Sequence, residues 1–366
     1  MECYITDKNH NKLDYLQNFN SLIWTERYSS FGDFELLVPI DSQYLPALKP
    51  DNHLELVDSD YVMIIEDVLA TESKDVRQVK VTGRSMESIL ERRTIDKNLN
   101  MPPTVLNLIF MHLRPLFVPT PSAANPSVIF NEGRAIPGFT LDETIPPGVI
   151  ERPVAQYDFS KKTAYAMVEE ICRDHDVGFR VRVMPDKTLR FSLFKGADKA
   201  TAGAANSVVF APSMQNIKNY SYLETSIGTA NVAVMNFGEY DARLPYVVVW
   251  LGPNEPKGMN RREMVVDVTN LRIEPEDITP IDYQIMTDNA RLIGQIELRA
   301  AQRKIVLDGE IELGMPPHYR HQYHMGDIVL FYHSKNIQTR YRVTEYIRSY
   351  TDTGSSEYPT FEAVVE

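Results

Sequence analysis

Three histidines near the C-terminus have the side chain and the spacing that a metal site could use. His318, His321 and His324 recur at every third position of "PPHYRHQYH". On a helix this spacing would place three imidazoles on one face, within reach of a zinc ion. However, prolines precede the segment, a Gly-Asp pair follows it, and no cysteine lies nearby to act as a fourth ligand. The alternative is a polar loop facing solvent or a neighbouring subunit, and we predict no metal site.

A fourth histidine, His175, lies between the carboxylates of Asp174 and Asp176 in "RDHDVG". A carboxylate beside a histidine is the pairing that general-base catalysis uses. Neighbours in sequence rarely orient one another, and the motif precedes Gly178 at a predicted helix end. Capping and solvation of that helix end are therefore the alternative interpretation.

No familiar catalytic motif is present. The sequence has no G-x-S-x-G elbow, no H-E-x-x-H and no phosphate-binding loop. A glycosidase needs two catalytic carboxylates at a set separation, and a sequence with 50 acidic residues can neither show nor exclude such a pair. We therefore expect a protein that is not an enzyme and has no cofactor.

Composition narrows the classes of partner. The net charge of −12 argues against a surface that holds nucleic acid or anionic lipid, although DNA could pass nearby without adhering. Cys3 and Cys172 do not make a disulfide framework, which favours assembly in a cytoplasm. No signal peptide and no apolar run of membrane-spanning length is visible, so we expect no membrane segment.

The 366 residues suggest two or three domains, and we predict three regions. Residues 1–97 read as a mostly β domain, in which "FELLVPI" alternates apolar and polar positions and a short helix over "RSMESILERR" covers the sheet. Residues 98–207 are predicted to form an inserted α+β region with proline-rich loops. Residues 208–366 are predicted to form a second β domain with one long helix.

The insertion is predicted from its prolines and its helix signals. Ten of the 23 prolines lie between residues 102 and 153. One helix is predicted to begin at Pro102–Pro103 and to end at Pro115, because proline fits a first turn and stops a helix. A second is predicted between a cap at Ser160 and a stop at Gly178, followed by a hairpin with a turn at residues 185–187.

In the last region, "IKNYSYLETS" and "TANVAVMNFGE" are predicted to pair as strands joined near residues 227–228. The long helix is predicted to have Thr279 as its cap, Pro280 as its first residue and Asp282 three positions after the cap. Its buried stripe is predicted to be Ile285, Leu292, Ile293, Ile296 and Ala300.

These elements predict an α+β fold that is mainly β. The expectation is two tube-like antiparallel barrel or sandwich domains, each with a packed helix, on either side of the α/β insertion. The two domains share an architecture but no residue-level repeat.

Three motifs occur in an order that resembles a known family. They are "SLIWTERYSSFGDFELLVPID", "VTGRSMESILERRTI" about fifty residues later, and "YHMGDIVLFY…TRYRVTEYIRSYTD" near the end. Their order resembles siphophage tail proteins of the ReqiPepy type, a family of tail-tip or baseplate hub proteins. The resemblance covers most of residues 20–95 and 160–366, whereas the proline-rich residues 98–156 depart from it. The candidate structural and assembly residues in these motifs are Trp24, Arg27, Tyr28, Gly32, Phe34, Gly83, Arg84, Gly326 and Asp327.

The resemblance implies a structural hub of the phage tail tip that closes or adapts the tail tube. It implies a homotrimer whose six similar domains match a six-fold tube and surround a channel through which DNA passes without specific binding. The implied partners are tail-tube or distal tail protein rings and fibre, tip or tape-measure proteins. The implied location is the virion, with assembly in the bacterial cytoplasm.

Two other functions remain open at this point. One is a tail-associated cell-wall hydrolase, and the other is a module that binds host saccharide through the insertion or aromatic loops. From the residues themselves, we expect Gly326 to permit a sharp turn and Asp327 to bond backbone amides in it.

Overall fold

Strands make up most of the regular structure, and the chain is α+β and mainly β, which confirms the predicted fold class. No described helix is long and apolar enough to cross a membrane. The computed structural model describes residues 2–73, 77–96, 105–122, 129, 131–149, 159, 161–201, 203–239, 241–273, 278–302, 304–312, 315–334, 337–351 and 354–364.

The described strands are β1 (Cys3–Thr6), β2 (Lys12–Leu16), β3 (Ser21–Arg27), β4 (Asp33–Pro39), β5 (His53–Leu56), β6 (Val62–Glu72), β7 (Arg77–Ser85), β8 (Phe139–Asp142), β9 (Gly178–Val183), β10 (Leu189–Phe194), β11 (Val209–Phe210), β12 (Ile217–Thr225), β13 (Val232–Asn236), β14 (Val248–Trp250), β15 (Glu263–Asp267), β16 (Lys304–Ile311), β17 (Ile328–Ser334), β18 (Ile337–Thr351) and β19 (Gly354–Ala363). The α-helices are α1 (Val105–Phe117), α2 (Ala164–Asp174) and α3 (Pro280–Ala300). Short 3-10 helices span Met86–Arg92, Pro212–Met214, Gly258–Asn260 and Thr269–Leu271.

The chain divides into two compact units. The first takes the described residues within Met1–Arg152, Phe159–Ser221 and Leu307–Val364, so it contains both ends of the chain. The second takes those within Tyr222–Val306. The domain boundaries at residues 97 and 207 stay a prediction.

One large sheet joins strands from both ends of the chain. Its order is β12-β16-β19-β18-β3-β4-β7-β6-β5-β1-β2, and β17 pairs with β18 and β11 off this path. In the antiparallel pair of β3 and β18, Arg27 lies opposite Glu345 and Trp24 lies opposite Arg348. The order is open at β12 and β2, so the described strands form no closed barrel, contrary to the predicted barrel form of the modules.

Alternation in β3, β4 and β7 places apolar side chains on one face of this sheet, as predicted for "FELLVPI". Strands β1, β2 and β5 contribute to the same buried core, so they fold over that face. The core residues are Cys3, Ile5, Leu16, Leu22, Trp24, Phe34, Leu36, Val38, Tyr44, Leu48, Leu54, Leu56, Tyr61, Met63, Ile65, Val79 and Val81.

A bulge in β6 marks the place where the sheet folds over. The register with β7 shifts between Ile65 and Asp67. On β7, only glycine has room at position 83, because a Cβ atom there would lie 1.8 Å from the carbonyl oxygen of Ile64. The first part of β6 pairs with β5, whereas the part after the bulge pairs with β7 alone among the described strands.

The inserted region contains a second sheet of three strands. The predicted hairpin is present as antiparallel β9 and β10, and β8 adds to β10 in parallel. Helix α1 does not stop at Pro115, as predicted, but continues to Phe117. Leu116 and Phe117 are buried, and Asn131 donates to the carbonyl oxygen of Pro115 over 2.9 Å, so packing and capping stabilise the last turn.

Helix α2 begins later than predicted. Its N-cap is Thr163, whose hydroxyl accepts a hydrogen bond from the backbone of Ala166 over 3.1 Å. The predicted cap, Ser160, lies outside the described residues, as does the predicted start of α1 at residues 102–103. The helix ends before Gly178, with His175 as its C-cap.

The second unit has its own sheet, ordered β14-β13-β15, with α3 packed against it. Strand β13 therefore does not pair with β12, and the predicted pairing is wrong. The capping box of α3 is confirmed: Thr279 accepts from the backbone of Asp282, and the Asp282 carboxylate accepts from the backbone of Thr279 over 3.0 Å.

The predicted buried stripe of α3 is wrong at Ile285 and Ala300, which are exposed. The helix approaches the sheet through small residues instead, since a Cβ atom on Gly294 would lie 2.8 Å from the side chain of Val249. A pattern based on large apolar side chains does not detect such a contact. The residues that are buried are Met286, Thr287, Ala290, Gly294 and Leu298.

The bulge gives a testable prediction. Gly83→Ala places a methyl group against the Ile64 carbonyl, so the free energy of unfolding should fall by on the order of 1–3 kcal/mol. Gly133→Ala is the matched control, because nothing lies within 4 Å of its Cβ position; it should change stability by less than about 1 kcal/mol. Urea denaturation measures both. Equal stability of the two variants would contradict the tight fit at the bulge.

Candidate functional site

The three sequence motifs meet at the middle of the large sheet. Trp24, Phe34 and Gly83 lie directly opposite one another on β3, β4 and β7, and Arg348 on β18 extends this row. Trp24 is fully buried and Phe34 nearly so. These candidate residues therefore build the core beneath the sheet and are not on its surface.

Arg27 and Arg84 lie on the opposite, polar face of the sheet. Arg27 bonds Glu345 of β18 through Nε over 2.6 Å and also pairs with Asp33 of β4. Arg84 holds Glu66 with two hydrogen bonds of 2.8 Å each. Each guanidinium thus links neighbouring strands through its planar fork.

These ion pairs fix the charge of the two arginines. The bond to Glu66 contributes most to raising the pKa of Arg84, and burial only partly opposes it. For Arg27, burial acts to lower the pKa, but the pairs with Asp33 and Glu345 outweigh it. Both side chains therefore stay protonated at any pH in which the fold persists.

The polar face carries more carboxylates than cations. We define it as the side chains that point away from the buried core on β3, β4, β7 and β6 and on the part of β18 that pairs with β3, Glu345–Thr351. Opposite charges pair across these strands, as in the 2.5 Å ion pair of Lys80 and Glu35, which are diagonal neighbours because Lys80 lies opposite Leu37. Its charged residues are the cations Arg27, Lys80 and Arg84 and the carboxylates Asp33, Glu35, Glu66, Asp67 and Glu345.

Gly32 fixes the chain between β3 and β4. Its backbone nitrogen donates to the hydroxyl of Ser85 over 2.7 Å, and its carbonyl accepts from the Ser85 backbone over 2.8 Å. A Cβ atom here would lie 2.2 Å from the carbonyl oxygen of Thr25. Gly32 therefore connects the first two motifs through backbone contacts.

Tyr28 and Gly326 bring the first motif against the last one. Gly326 has φ of 85°, and its lack of a side chain leaves room for the Tyr28 ring, which would lie 2.4 Å from a Cβ atom. The Tyr28 hydroxyl donates to the carbonyl oxygen of Asp176 over 3.1 Å. The sharp turn expected at Gly326 is therefore present and is packed in place by an aromatic ring.

Asp327 bonds backbone amides, as expected. Its carboxylate accepts from the backbone of His324 over 2.9 Å and from that of Ala197 over 2.7 Å. Lys199 lies 2.8 Å from the same nearly buried carboxylate. Asp327 thus joins its own turn to the segment that follows the hairpin.

A buried ionic cluster was not predicted. The Glu26 carboxylate, with no exposed surface, accepts from Ser59 over 2.7 Å, from Tyr319 over 3.0 Å, from Arg320 over 3.0 Å and from Arg348 over 3.1 Å. The signal in the sequence is that Glu26 continues the alternation of Leu22 and Trp24 toward the core. We call Glu26, Ser59, Tyr319, Arg320 and Arg348 the ionic cluster.

Arg348 is nearly as buried as Glu26, with 2% of its surface exposed. A second carboxylate, Asp58, lies 2.8 Å from its Nη1 atom. Burial acts to lower the pKa of Arg348, but Glu26 and Asp58 outweigh it and raise the pKa. The cluster is therefore a charged link among β3, β18 and the segment around Tyr319.

The candidate histidines are not arranged for chemistry. His318, His321 and His324 are exposed, and among the described residues no three metal-binding side chains are grouped to hold an ion. His175 caps α2, as expected, but it is buried rather than solvated. Its Nδ1 atom lies 2.9 Å from the Ile171 carbonyl oxygen, and burial lowers its pKa.

One known family matches almost the whole chain. Residues 2–361 match the family described as Siphovirus ReqiPepy6 Gp37-like protein. The chain belongs to this family of phage tail proteins. The resemblance inferred from the motifs is thereby confirmed over nearly the whole chain, including the proline-rich stretch that departed from it.

Solved structures share the fold at low identity. A tail protein from Neisseria meningitidis MC58 superposes with a TM-score of 0.55 at 12% identity, covering 99% of this chain and 95% of its own. The 43 kDa tail protein of prophage MuSo2 from Shewanella oneidensis gives 0.58 at 11%, covering 99% and 98%. Prophage tail protein gp18 from Listeria monocytogenes EGD-e gives 0.57 at 12%, covering 99% and 94%. No curated protein matches the sequence.

The ionic cluster gives a testable prediction. Glu26→Gln leaves two arginines without their buried counter-charge, so the free energy of unfolding should fall by about 3–5 kcal/mol. Asp33→Asn breaks a partly exposed pair on the polar face and should cost no more than about 1 kcal/mol. Urea denaturation of both variants measures the difference. A loss for Glu26→Gln as small as that for Asp33→Asn would show that the cluster is not a principal support.

Proposed function

We propose that this tail protein is a structural hub at the tail tip, assembled as a homotrimeric ring around a channel for DNA. The observation that carries the proposal is the polar face of the large sheet. It extends across strands from both ends of the chain and carries charged and polar side chains together with the apolar Ile23, Leu37, Leu69 and Ile347, while the other face is buried in core. A wide sheet with one polar, ion-paired face is suited to lining an aqueous passage.

The charge of the polar face supports passage of DNA without binding. Arg27, Lys80 and Arg84 are each paired with a carboxylate, and five carboxylates lie on the polar face, so none of these three cations is free to hold a phosphate. The excess negative charge repels the DNA backbone. The cross-strand pairs also keep the side chains from extending into the passage.

The two ends of the chain would act as the paired modules of such a ring. Residues 1–97 and 208–366 are the proposed tube-like domains, and they meet where β3 pairs with β18. Three subunits would present six modules to a six-fold tube. Of the nine motif residues, Trp24 and Arg27 lie in this strand pair, and the others pack or bond around it; we propose that together they support assembly.

The proposed partners are other tail proteins above and below the ring: tube or distal rings, and fibre, tip or tape-measure proteins. The protein would reside in the virion after assembly in the host cytoplasm. We propose no catalytic role, since His175 is buried as the C-cap of α2 and Asp176 pairs with Arg342, while the exposed His324 lies 3.8 Å from Asp327, a carboxylate already bonded to backbone amides.

The proposed ring predicts a trimer in solution. Mass photometry of the purified protein across a dilution series should show trimers that dissociate on dilution. The reason is that the subunits of a ring separate by mass action when the protein is diluted. Monomers at every concentration would refute the ring.

The proposed channel predicts how added positive charge on the polar face changes DNA binding. Thr82→Lys with Ser349→Lys adds two cations to the polar face without removing an ion pair, so retention of double-stranded DNA by the oligomer should rise and should fall again with salt. Thr120→Lys with Thr201→Lys adds the same charge at exposed positions elsewhere. Gel-shift assays at several salt concentrations compare the two. Equal retention would mean that the polar face does not meet DNA.

A further inference from the structure

We propose that α3 joins two copies of this chain, in that the outward faces of two α3 helices pack antiparallel about a two-fold axis. The inference goes beyond the proposed ring and does not depend on it. Two observations carry it. Helix α3 has a second apolar face that the core of its unit does not use, and the spacing of that face is self-complementary.

Helix α3 is apolar on two opposite sides. One side is the buried face described above, which packs on β13, β14 and the 3-10 helix Thr269–Leu271. Four larger side chains lie on the other side, within about 60° of one another, because each residue of an α-helix turns by about 100°. We call these four side chains the outer stripe: Ile281, Ile285, Leu292 and Ile296.

The outer stripe lies outside the core of the second unit. None of its side chains is packed against the core cluster described for that unit. Ile281 is 72% exposed and Ile285 is 48% exposed, while the other two are half-buried. A row of large apolar side chains along one side of a helix is typical of a face that packs on another helix. The apolar periodicity of α3 is therefore available to a partner.

The spacing of the outer stripe is the same in both directions along α3. Steps of four, seven and four residues separate its members, so the stripe is symmetric about the middle of the helix. In an antiparallel pair centred there, Ile281 of one copy lies beside Ile296 of the other, and Ile285 lies beside Leu292. A two-fold contact between identical chains requires such a self-complementary surface. The occupant that fits this face is therefore a second α3.

The charged residues of α3 also suit the antiparallel arrangement. Asp282 lies in the first turn and Arg299 in the last turn, so the carboxylate of each copy would lie near the arginine of the other. Near the axis, Asp288 and Arg291 lie 3.4 Å apart within one helix. Two copies bring two carboxylates and two guanidiniums together there, so that each charge meets an opposite charge across the contact.

A parallel bundle of three α3 helices suits the same residues less well. Equivalent residues of a parallel bundle lie in one layer, so three Asp288 carboxylates would meet beside the outer stripe and three Arg299 side chains would meet at its end. Juxtaposed like charges oppose association. The antiparallel pair offsets these charges along the axis, which is why the proposal commits to two helices and not three.

The contact is small, because each helix offers four apolar side chains, and one pair by itself should therefore be weak. In the proposed ring, three such contacts would join two rings into a particle of six chains. Contacts that form together bind more tightly than any one of them. Without the ring, the same contact would join two single chains.

Crosslinking of the full chain tests the contact. The native thiols, Cys3 and Cys172, are fully buried, so a short bismaleimide reacts with introduced cysteines. Ile281→Cys with Ile296→Cys should yield covalent dimers on denaturing gels and nothing larger, because each helix has one partner. A mixture of the two single variants should also yield dimers. Each single variant alone should stay unlinked, because equivalent positions lie about 22 Å apart along the axis of the antiparallel pair.

A second pair of positions on α3 controls for chance encounters between chains. Gln284 and Glu297 are exposed, lie outside the outer stripe and are separated by nearly the same length of helix. Gln284→Cys with Glu297→Cys should therefore give no dimers under the same conditions.

The other outcomes separate this contact from the proposed ring. Trimers in solution without the crosslink would overturn the α3 contact and leave the ring standing. Crosslinked dimers with no trimer at any concentration would uphold the contact and refute the ring. Linkage of Ile281→Cys alone would show parallel helices and would overturn the antiparallel pair. Monomers at every concentration would overturn both proposals.

Sedimentation velocity checks the contact without chemical modification. As protein concentration rises, particles should double in mass. Ile285→Lys with Leu292→Lys places charges at the centre of the outer stripe and should raise the concentration needed for doubling by about tenfold or more. Met259→Lys, at a fully exposed residue elsewhere in the second unit, should leave that concentration unchanged. Unaltered doubling in the first variant would overturn the proposal, provided circular dichroism shows both proteins folded.

Discussion

The pairing of β3 with β18 is the constraint on which the rest of the first unit depends. It joins strands more than 300 residues apart and makes one sheet from both ends of the chain. Burial of Glu26 with Arg348 beneath this pair sets its register, because a slip of one residue by either strand would move its charge to the other face and leave the partner charge buried and unpaired. A buried charge pair of this kind specifies one arrangement even where it adds little net stability.

Two glycines permit close contacts in the sheet that the pairing of β3 with β18 creates. Gly83 permits the bulge that turns β6, and Gly326 leaves room for Tyr28 beside β18. These close contacts fix the path of β6 at its bulge and the turn that precedes β17. The fold thus explains why the motif residues divide between core and surface although they are neighbours in sequence.

The aromatic and charged residues of the first unit also act together rather than as separate sites. Tyr319 stacks on Tyr346 with ring centroids 3.8 Å apart while its hydroxyl bonds Glu26. The segment with the three histidines is held to the sheet by this contact. Its histidines are therefore exposed on a well-anchored loop, which is consistent with a structural protein.

The sequence by itself determined the mainly β class, the hairpin of β9 and β10, the capping box of α3, the turn at Gly326 and the family, because each depends on local alternation, caps or motif order. Only the tertiary structure decided that β12 leaves β13 for another sheet, that α3 packs through Gly294, and that Glu26 meets Arg320 and Arg348. Those contacts join residues far apart in the chain, and local patterns contain no information on which distant partners will satisfy a buried charge or fit a small side chain.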